Sequence, residues 1–317
     1  MFHYRIRGMR LIPVTIGVLA LLTLLPSGAN PSPKSRLVVA IQPTFAVTEM
    51  LDRAKPLERF LEQRLGNRVD VEIYIPLSQA GVIEALRFGQ AHVAFMGPWA
   101  ALLAVERAGA ELVLAEVREV LIDGQKTQAT YYFSYWIVLR DSPYQSLEEL
   151  RGKRACFPSP VSTSGFVAPM ARLVELKLLS RSEREEVDPR RFFGDVLFAG
   201  GYGQCWQALK AGQVDVTVIA GDVPESLYKE VLANIRILEK QGPLPSHAVL
   251  FSKELKEPLR TQLLNAILAL GAPAYRDLMR TFISGIFVRF QKSDATTHLG
   301  PLKRFLELTG LRFTERL

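Results

Sequence analysis

Three hydroxyls and a glycine in a row, Ser162-Thr163-Ser164-Gly165, are the residues of this chain best suited by type and spacing to hold a ligand. Residues 154–157 (Arg-Ala-Cys-Phe) predict a short strand, and Pro158-Ser159-Pro160 the turn out of it. Beyond the motif, Met170, Leu173 and Val174 recur at helical spacing. A helix start presents unpaired N–H groups and a partial positive charge, so hydroxyls there can surround an oxyanion with donors without a lysine. Ser and Thr also favour an N-cap for local reasons alone. By itself the motif supports both a cap and an anion cradle. Pro169 adds that the helix begins near Ser164 or opens with an irregular turn.

Other reactive groups are sparse. Cys156 and Cys205 are the only cysteines, and both fall near predicted strand-to-helix junctions. A disulfide, two buried thiols and a ligand-binding thiol pair all remain open, and the separation carries no zinc signature. No His/Asp set accompanies a serine or cysteine nucleophile, Ser164 lacks the flanking glycines of a nucleophile elbow, and no metal-ligand spacing occurs. No catalysis, cofactor or metal is expected. Gly200-Gly201-Tyr202-Gly203 lacks the second half of a nucleotide-binding glycine pattern and reads as a tight turn.

The elements that must position these groups alternate. Residues 36–41 predict a buried strand and residues 46–65 a helix that Pro56 should kink or split. A strand over 69–75, a helix over 78–87 capped by Ser78, a strand over 92–96 and a helix over 100–108 follow. Such alternation implies a largely parallel sheet covered by helices. Residues 131–139 predict a strand that crosses into a second lobe. That lobe continues through the strand at 154–157, a strand at 195–199, a helix at 204–211 and a strand at 214–219. Residues 235–238 with 248–251 cross back, and the rest reads as mostly helical. Sites in such sheets lie beyond the carboxyl ends of strands, where loops meet helix starts.

The 317 residues carry a formal charge of +7. Arg5, Arg7 and Arg10 precede an apolar run over 11–25, and Ser27-Gly28-Ala29 offers small residues for cleavage, the layout of a secretory signal peptide. An uncleaved anchor is the other possibility; no cysteine marks a lipoprotein site. Loss of residues 1–29 removes three arginines and no acid, leaving 288 residues and a charge of +4. Those charges interleave, as in residues 181–186, with no basic stripe suited to nucleic acid. No later apolar run is long enough to span a membrane. Lobe one is expected over 30–130 and 236–317, lobe two over 131–235.

With these segments in view, the chain resembles the periplasmic phosphate/phosphite/phosphonate-binding proteins of ABC transporters. The matching pieces run in order through both lobes: Ala80-Gly81-Val82-Ile83-Glu84-Ala85-Leu86, Gly97-Pro98, Asp141-Ser142-Pro143, Ser146-Leu147-Glu148-Glu149-Leu150-Arg151-Gly152-Lys153, Ser162-Thr163-Ser164-Gly165, Gly212-Gln213-Val214-Asp215 and Gly242-Pro243-Leu244-Pro245-Ser246-His247. The resemblance implies a type II periplasmic-binding clamshell, each lobe a mainly parallel sheet flanked by helices. It also implies a monomer that closes on a small anionic ligand and delivers it to an inner-membrane ABC permease.

The resemblance places the phosphorus oxyanion at Ser162, Thr163, Ser164 and Gly165. Phe45 is a cleft wall or a buried staple, and Trp99 a cleft wall or core packing. Tyr131 and Tyr132 fall where the family places crossover aromatics, and strand alternation lets at most one face the cleft. Tyr202 stands where a histidine is usual, Gln79 where an aromatic is usual, and Ala220 where an aspartate is usual, with Asp222 two residues on. His247 is a cleft group or a structural histidine. These departures leave the ligand's identity open. Two alternatives keep the clamshell but hand the ligand state to a sensor kinase, with a phosphorus oxyanion or, through the two cysteines, arsenite as ligand.

Overall fold

Buried on both faces from Leu37 onward, β1 (Ser35–Ile41) has the continuous apolar character of a strand inside a helix-covered sheet. The structure is a computed structural model and describes residues 34–42, 47–66, 69–182, 185–281 and 283–313. Helix α1 (Val47–Leu65) turns Met50, Ala54, Leu57, Phe60, Leu61 and Leu65 inward. The helix runs unbroken through Pro56, which is exposed, so the split the proline could have caused does not occur. Strand β2 (Val69–Tyr74) alternates buried and exposed residues at the sheet edge. Its Val71 and Ile73 amides donate to Glu62 Oε1 and Glu58 Oε1 of α1 at 3.3 and 3.0 Å, which blunts that edge.

Next come α2 (Gln79–Arg87), whose Ser78 cap accepts from the Gly81 amide, then β3 (Val93–Met96) and α3 (Pro98–Ala108). Helix α3 starts two residues earlier than expected, with Gly97 as the cap and Pro98 in the first turn, where a missing N–H costs nothing. β1 pairs parallel with both β2 and β3, so Gln42 and Gly97 leave the sheet side by side.

The sequence reading passed over the next two strands, β4 (Glu111–Ile122) and β5 (Gln125–Ala129). They form a hairpin closed by Asp123 and Gly124 at φ of 51° and 79°, the left-handed pair that suits a two-residue hairpin. β6 (Tyr131–Leu139), β7 (Arg154–Phe157), a π-helical turn (Thr163–Val167), α4 (Ala168–Glu175), β8 (Asp195–Phe198), α5 (Tyr202–Lys210), β9 (Thr217–Ala220) and α6 (Glu225–Leu232) follow. β10 (Ile235–Pro245) returns to β11 (Ala248–Phe251), and α7 (Leu259–Ala269), α8 (Asp277–Arg280), β12 (Phe287–Lys292) and α9 (Ala295–Thr309) complete the described chain. The end segment is mostly helical, as expected, with β12 as the one strand among its described residues.

The larger sheet runs β12-β4-β11-β3-β1-β2, with β5 on β4: a parallel block, β3-β1-β2, extended by antiparallel strands. A smaller sheet, β10-β6-β9, lies beside the parallel pair β7-β8, joined by a bridge from Ala155 to Val216. β6 leaves the larger sheet and β10 comes back, paired antiparallel from Leu139–Ile235 to Tyr131–Pro245. Helix α9 packs on α3, α4 and β10 together.

Beneath the 162–167 segment lies an aromatic cluster. Trp136, fully buried, meets Phe157 edge-on at 5.7 Å, and Phe157 meets Phe166 at 5.2 Å. Each such pair adds about 0.5–1.5 kcal/mol beyond the area it buries. Of the three possibilities for the cysteines, the structure has the disulfide: Cys156 and Cys205, both fully buried, join the end of β7 to the first turn of α5. No described helix is long and apolar enough to cross a membrane. The apolar run over 11–25 lies outside the described residues, as does Phe45.

Candidate functional site

Ser162 is the cap of the helical segment, as its type predicts. Its Oγ accepts from the Gly165 amide at 2.9 Å and its carbonyl from Phe166 and Val167 at 3.0 Å each. The bond from Val167 spans five residues, which makes the first turn π-helical, the irregular opening anticipated from Pro169. The widened turn leaves the first amides without an intrahelical acceptor. Gly165 is fixed by space: a Cβ there would lie 2.7 Å from Ser162 Oγ and 2.8 Å from Pro158 Cγ. It closes the cap from behind and does not line the cavity.

That cavity, of about 210 Å³, opens between the two sheets, lined by Gln42, Gln79, Gly97, Pro98, Trp99, Tyr132, Val161, Ser162, Thr163, Ser164, Tyr202, Asp222 and His247. Of the residues singled out from sequence, Ser162, Thr163, Ser164, Trp99, Tyr202 and His247 come together here. Trp99 satisfies both of its readings: it lines the cavity while only 4% exposed, with its ring edge-on to Phe313 at 5.4 Å. Tyr131 is not part of the group. It is 45% exposed and packs edge-on against Phe133, while β6 alternation turns Tyr132 to the cavity.

Tyr202 takes a defined place in the hydroxyl cluster. Its OH lies 2.7 Å from Ser164 Oγ, and Tyr132 OH donates to the same oxygen at 3.2 Å. The disulfide ties together the two segments that carry this contact, since Cys205 is in the turn that begins with Tyr202. Burial pushes both phenols upward, reinforced by Asp222, so both stay protonated donors at neutral pH.

Charge reaches the cavity beside the hydroxyl cluster, where the Tyr132 hydroxyl helps to lower the Asp222 carboxyl. Asp222 follows β9 by two residues and reaches the cavity from there, so the carboxylate missing from the strand end is supplied just beyond it. Behind it lies Arg118 of β4, 5% exposed, with Nη1 3.0 Å from Asp222 Oδ2 and Nη2 3.0 Å from Glu116 Oε2. His247 Nδ1 is 3.7 Å from the same Glu116 oxygen. Burial, the Arg118 charge and His298 hold His247 well below the ordinary histidine range, so it is neutral at pH 7. His298 is lowered by burial as well and contacts the Ser246 carbonyl at 3.0 Å. Burial opposes the Arg118 charge, but Glu116 and Asp222 outweigh it and raise its basicity.

Gln42, Glu116 and Arg118 were absent from the sequence candidates; Tyr132 entered only as the alternative to Tyr131, and Asp222 only as a displaced aspartate. Gln42 Oε1 accepts from the Gly97 amide at 2.5 Å and sets the start of α3 against the cavity. The hairpin signal Asp123-Gly124 could have exposed β4, and with it the alternation that puts Glu116 and Arg118 on one face. Among the described residues no lysine or arginine lines the cavity, and no cluster could hold a metal ion. The site offers hydroxyl donors with a carboxylate beside them, linked to them through Tyr132.

Two sheets joined by crossing strands, with a donor-lined cavity between them, define a two-lobed periplasmic binding protein. The chain belongs to the family described as "ABC transporter, phosphonate, periplasmic substrate-binding protein", whose model matches residues 39–296. The phosphate-import protein PhnD of Mycolicibacterium smegmatis is 29% identical over 162 residues, 50% of this chain and 47% of that one. The phosphonates-binding periplasmic protein of Escherichia coli is 26% identical over 226 residues, 68% of this chain and 60% of that one. The chain thus spans between about half and three-fifths of the length of these curated relatives. A binding protein component of an ABC phosphonate transporter from Pseudomonas aeruginosa shares the fold, with a TM-score of 0.60 at 22% identity over 86% of this chain and 85% of that one.

Proposed function

We propose that the protein is an extracytoplasmic receptor that binds a small phosphorus oxyanion or phosphonate between its lobes and delivers it to an ABC permease. The observation that carries this reading is the convergence of Ser162, Thr163, Ser164 and Tyr202 on one cavity that no lysine or arginine lines. Neutral donors hold an oxyanion without a fixed opposite charge, which suits a protein that must release its cargo. At about 210 Å³ the cavity falls below the roughly 300–1,000 Å³ of pockets for drug-sized ligands, so a compact anion fits it best. The division into lobes at residues 30–130 with 236–317, and 131–235, belongs to the same proposal.

Asp222 sharpens the ligand class. An ionised carboxylate accepts hydrogen bonds and repels a bare oxyanion, so a bound oxyanion must turn a donor toward it. A monoprotonated phosphorus acid supplies that donor through its own hydroxyl. Calorimetry on the protein lacking residues 1–29 with phosphate, phosphite, methylphosphonate and sulfate tests this reading. Binding of at least one phosphorus acid well above sulfate is expected. At a hundredfold excess over Kd it would add about 2.7 kcal/mol to stability, a readable thermal shift. Silence with all four anions would overturn the proposal.

A further inference from the structure

Among the described residues, Arg118 is the one cation buried against the cavity, yet it does not line it. Its two Nη groups are spent on carboxylates that belong to different sheets: Glu116 within β4, and Asp222 beyond β9. Arg118 Nε and Glu116 Oε1 have no hydrogen-bond partner in the structure, so the cluster is not arranged for full polar satisfaction. A buried ion pair is weak support for stability, since apolar residues of similar volume often serve as well. What distinguishes this one is where its charge goes. The groups around it are the phenols of Tyr132 and Tyr202, the imidazoles of His247 and His298, and the two carboxylates. Of these, only Asp222 brings an acidic group to the cavity surface.

We propose that Arg118 is the positioning residue that keeps Asp222 ionised and aimed into the cavity, and thereby makes the site select an oxyanion that still carries a proton. This inference rests on the oxyanion-binding reading above. Burial, with a smaller push from Glu116, raises the Asp222 carboxyl above its ordinary range, and Arg118 is the largest opposing influence, ahead of a backbone amide and the Tyr132 hydroxyl. Two buried carboxylates and one guanidinium leave an excess of one negative charge, which disfavours a fully ionised guest and suits one that donates. Without Arg118, Glu116 and Asp222 would face each other with no cation between them, and one would take up a proton. A protonated Asp222 turns from acceptor to donor. The site would then accept a fully ionised anion and lose its preference for a protonated one.

The test is the pH profile of binding, measured by calorimetry with phosphite and with sulfate on the wild type, Arg118→Gln, Arg118→Lys and Asp222→Asn. In the wild type, phosphite affinity should fall about tenfold per pH unit above the second ionisation of the acid, near pH 6 for phosphates generally. Arg118→Gln should bind phosphite at least tenfold more weakly at low pH, with a flattened slope and a phosphite-to-sulfate ratio reduced at least tenfold. Asp222→Asn should show the same flattened slope. Arg118→Lys, which keeps the charge without the fork, should retain the wild-type slope at a smaller loss in affinity. A wild-type slope and anion ratio in Asp222→Asn, or in folded Arg118→Gln, would overturn the role of Arg118 and leave oxyanion binding intact. Should Arg118→Gln not fold, Asp222→Asn and Arg118→Lys decide the matter by their slopes. Silence of the wild type with phosphite, phosphate and methylphosphonate would instead overturn the reading beneath it.

Discussion

The two sides of the cavity are assembled differently. On one side Ser162, Thr163 and Ser164 are consecutive, and the Tyr202 hydroxyl that joins them is 38 residues from Ser164. All are neutral, and their segments are held by the Cys156–Cys205 disulfide and an aromatic cluster. In the charged part, Arg118 meets Asp222, 104 residues away and just past the end of β9, and the Tyr132 hydroxyl lies between that aspartate and the donors. The donor side is a local device that would hold many oxyanions. The charged side exists only when both sheets are in place, and it is the side that distinguishes one anion from another.

The largest effect should come from cutting the covalent tie on the donor side. Closing a loop of 49 residues restricts the unfolded chain by about 4 kcal/mol in the chain-entropy model. Cys156→Ala with Cys205→Ala should lower the unfolding free energy by about that amount and steepen the slope with denaturant, because the freed unfolded chain exposes more surface. It should also weaken oxyanion binding, because β7 and α5 would no longer hold Ser164 and Tyr202 in register. An unchanged unfolding free energy would show that the aromatic cluster alone holds this side.

How far the two sides were legible follows from the same contrast. The donor side could be read from a strand, a turn and a serine-rich helix start within residues 154–174, and the irregular opening from Pro169. Trp99 and Gly97-Pro98 were likewise visible as a strand-to-helix junction. The charged side was not legible. Residues 111–122 mix Leu, Val, Ala, Glu and Arg in an order that gives no clean two-residue alternation, and all but the ends are buried or nearly so. A strand buried on both faces carries no polar face to reveal it, so Glu116 and Arg118 passed unnoticed. Asp222 was visible only as an aspartate displaced from its expected place, and no local pattern points to a partner so far away in sequence. Pro56 shows the same limit: its residue type left a kink or a split open, and the helix continues through it.

Gly165→Ala should produce a smaller loss confined to the donor side. The added Cβ meets Ser162 Oγ and the Pro158 ring at under 3 Å, so the cap or the turn must shift. Overpacking of this kind costs roughly 1–3 kcal/mol. The variant should melt lower and bind more weakly, yet keep the wild-type dependence of binding on pH, because the Arg118–Asp222 pair is untouched. A changed pH slope in this variant would mean that the two sides are coupled and the contrast between them is wrong.

The smallest effect sharpens the boundary of the site itself, through two adjacent tyrosines on opposite faces of β6. Tyr132 is 5% exposed and donates to Ser164 Oγ at 3.2 Å, whereas Tyr131 is 45% exposed and touches Phe133. Tyr132→Phe removes one hydroxyl and keeps the ring; the lost bond to Ser164 Oγ is worth about 1 kcal/mol, roughly fivefold in affinity, and Asp222 loses a hydroxyl that helps to lower its carboxyl. Tyr131→Phe removes a hydroxyl from the other face and should leave affinity within error. Titration of both variants with the same phosphorus acid checks the pair. Equal losses would mean that β6 turns its other face to the ligand in the bound state, and Tyr131 would then return to the site from which its exposure now removes it.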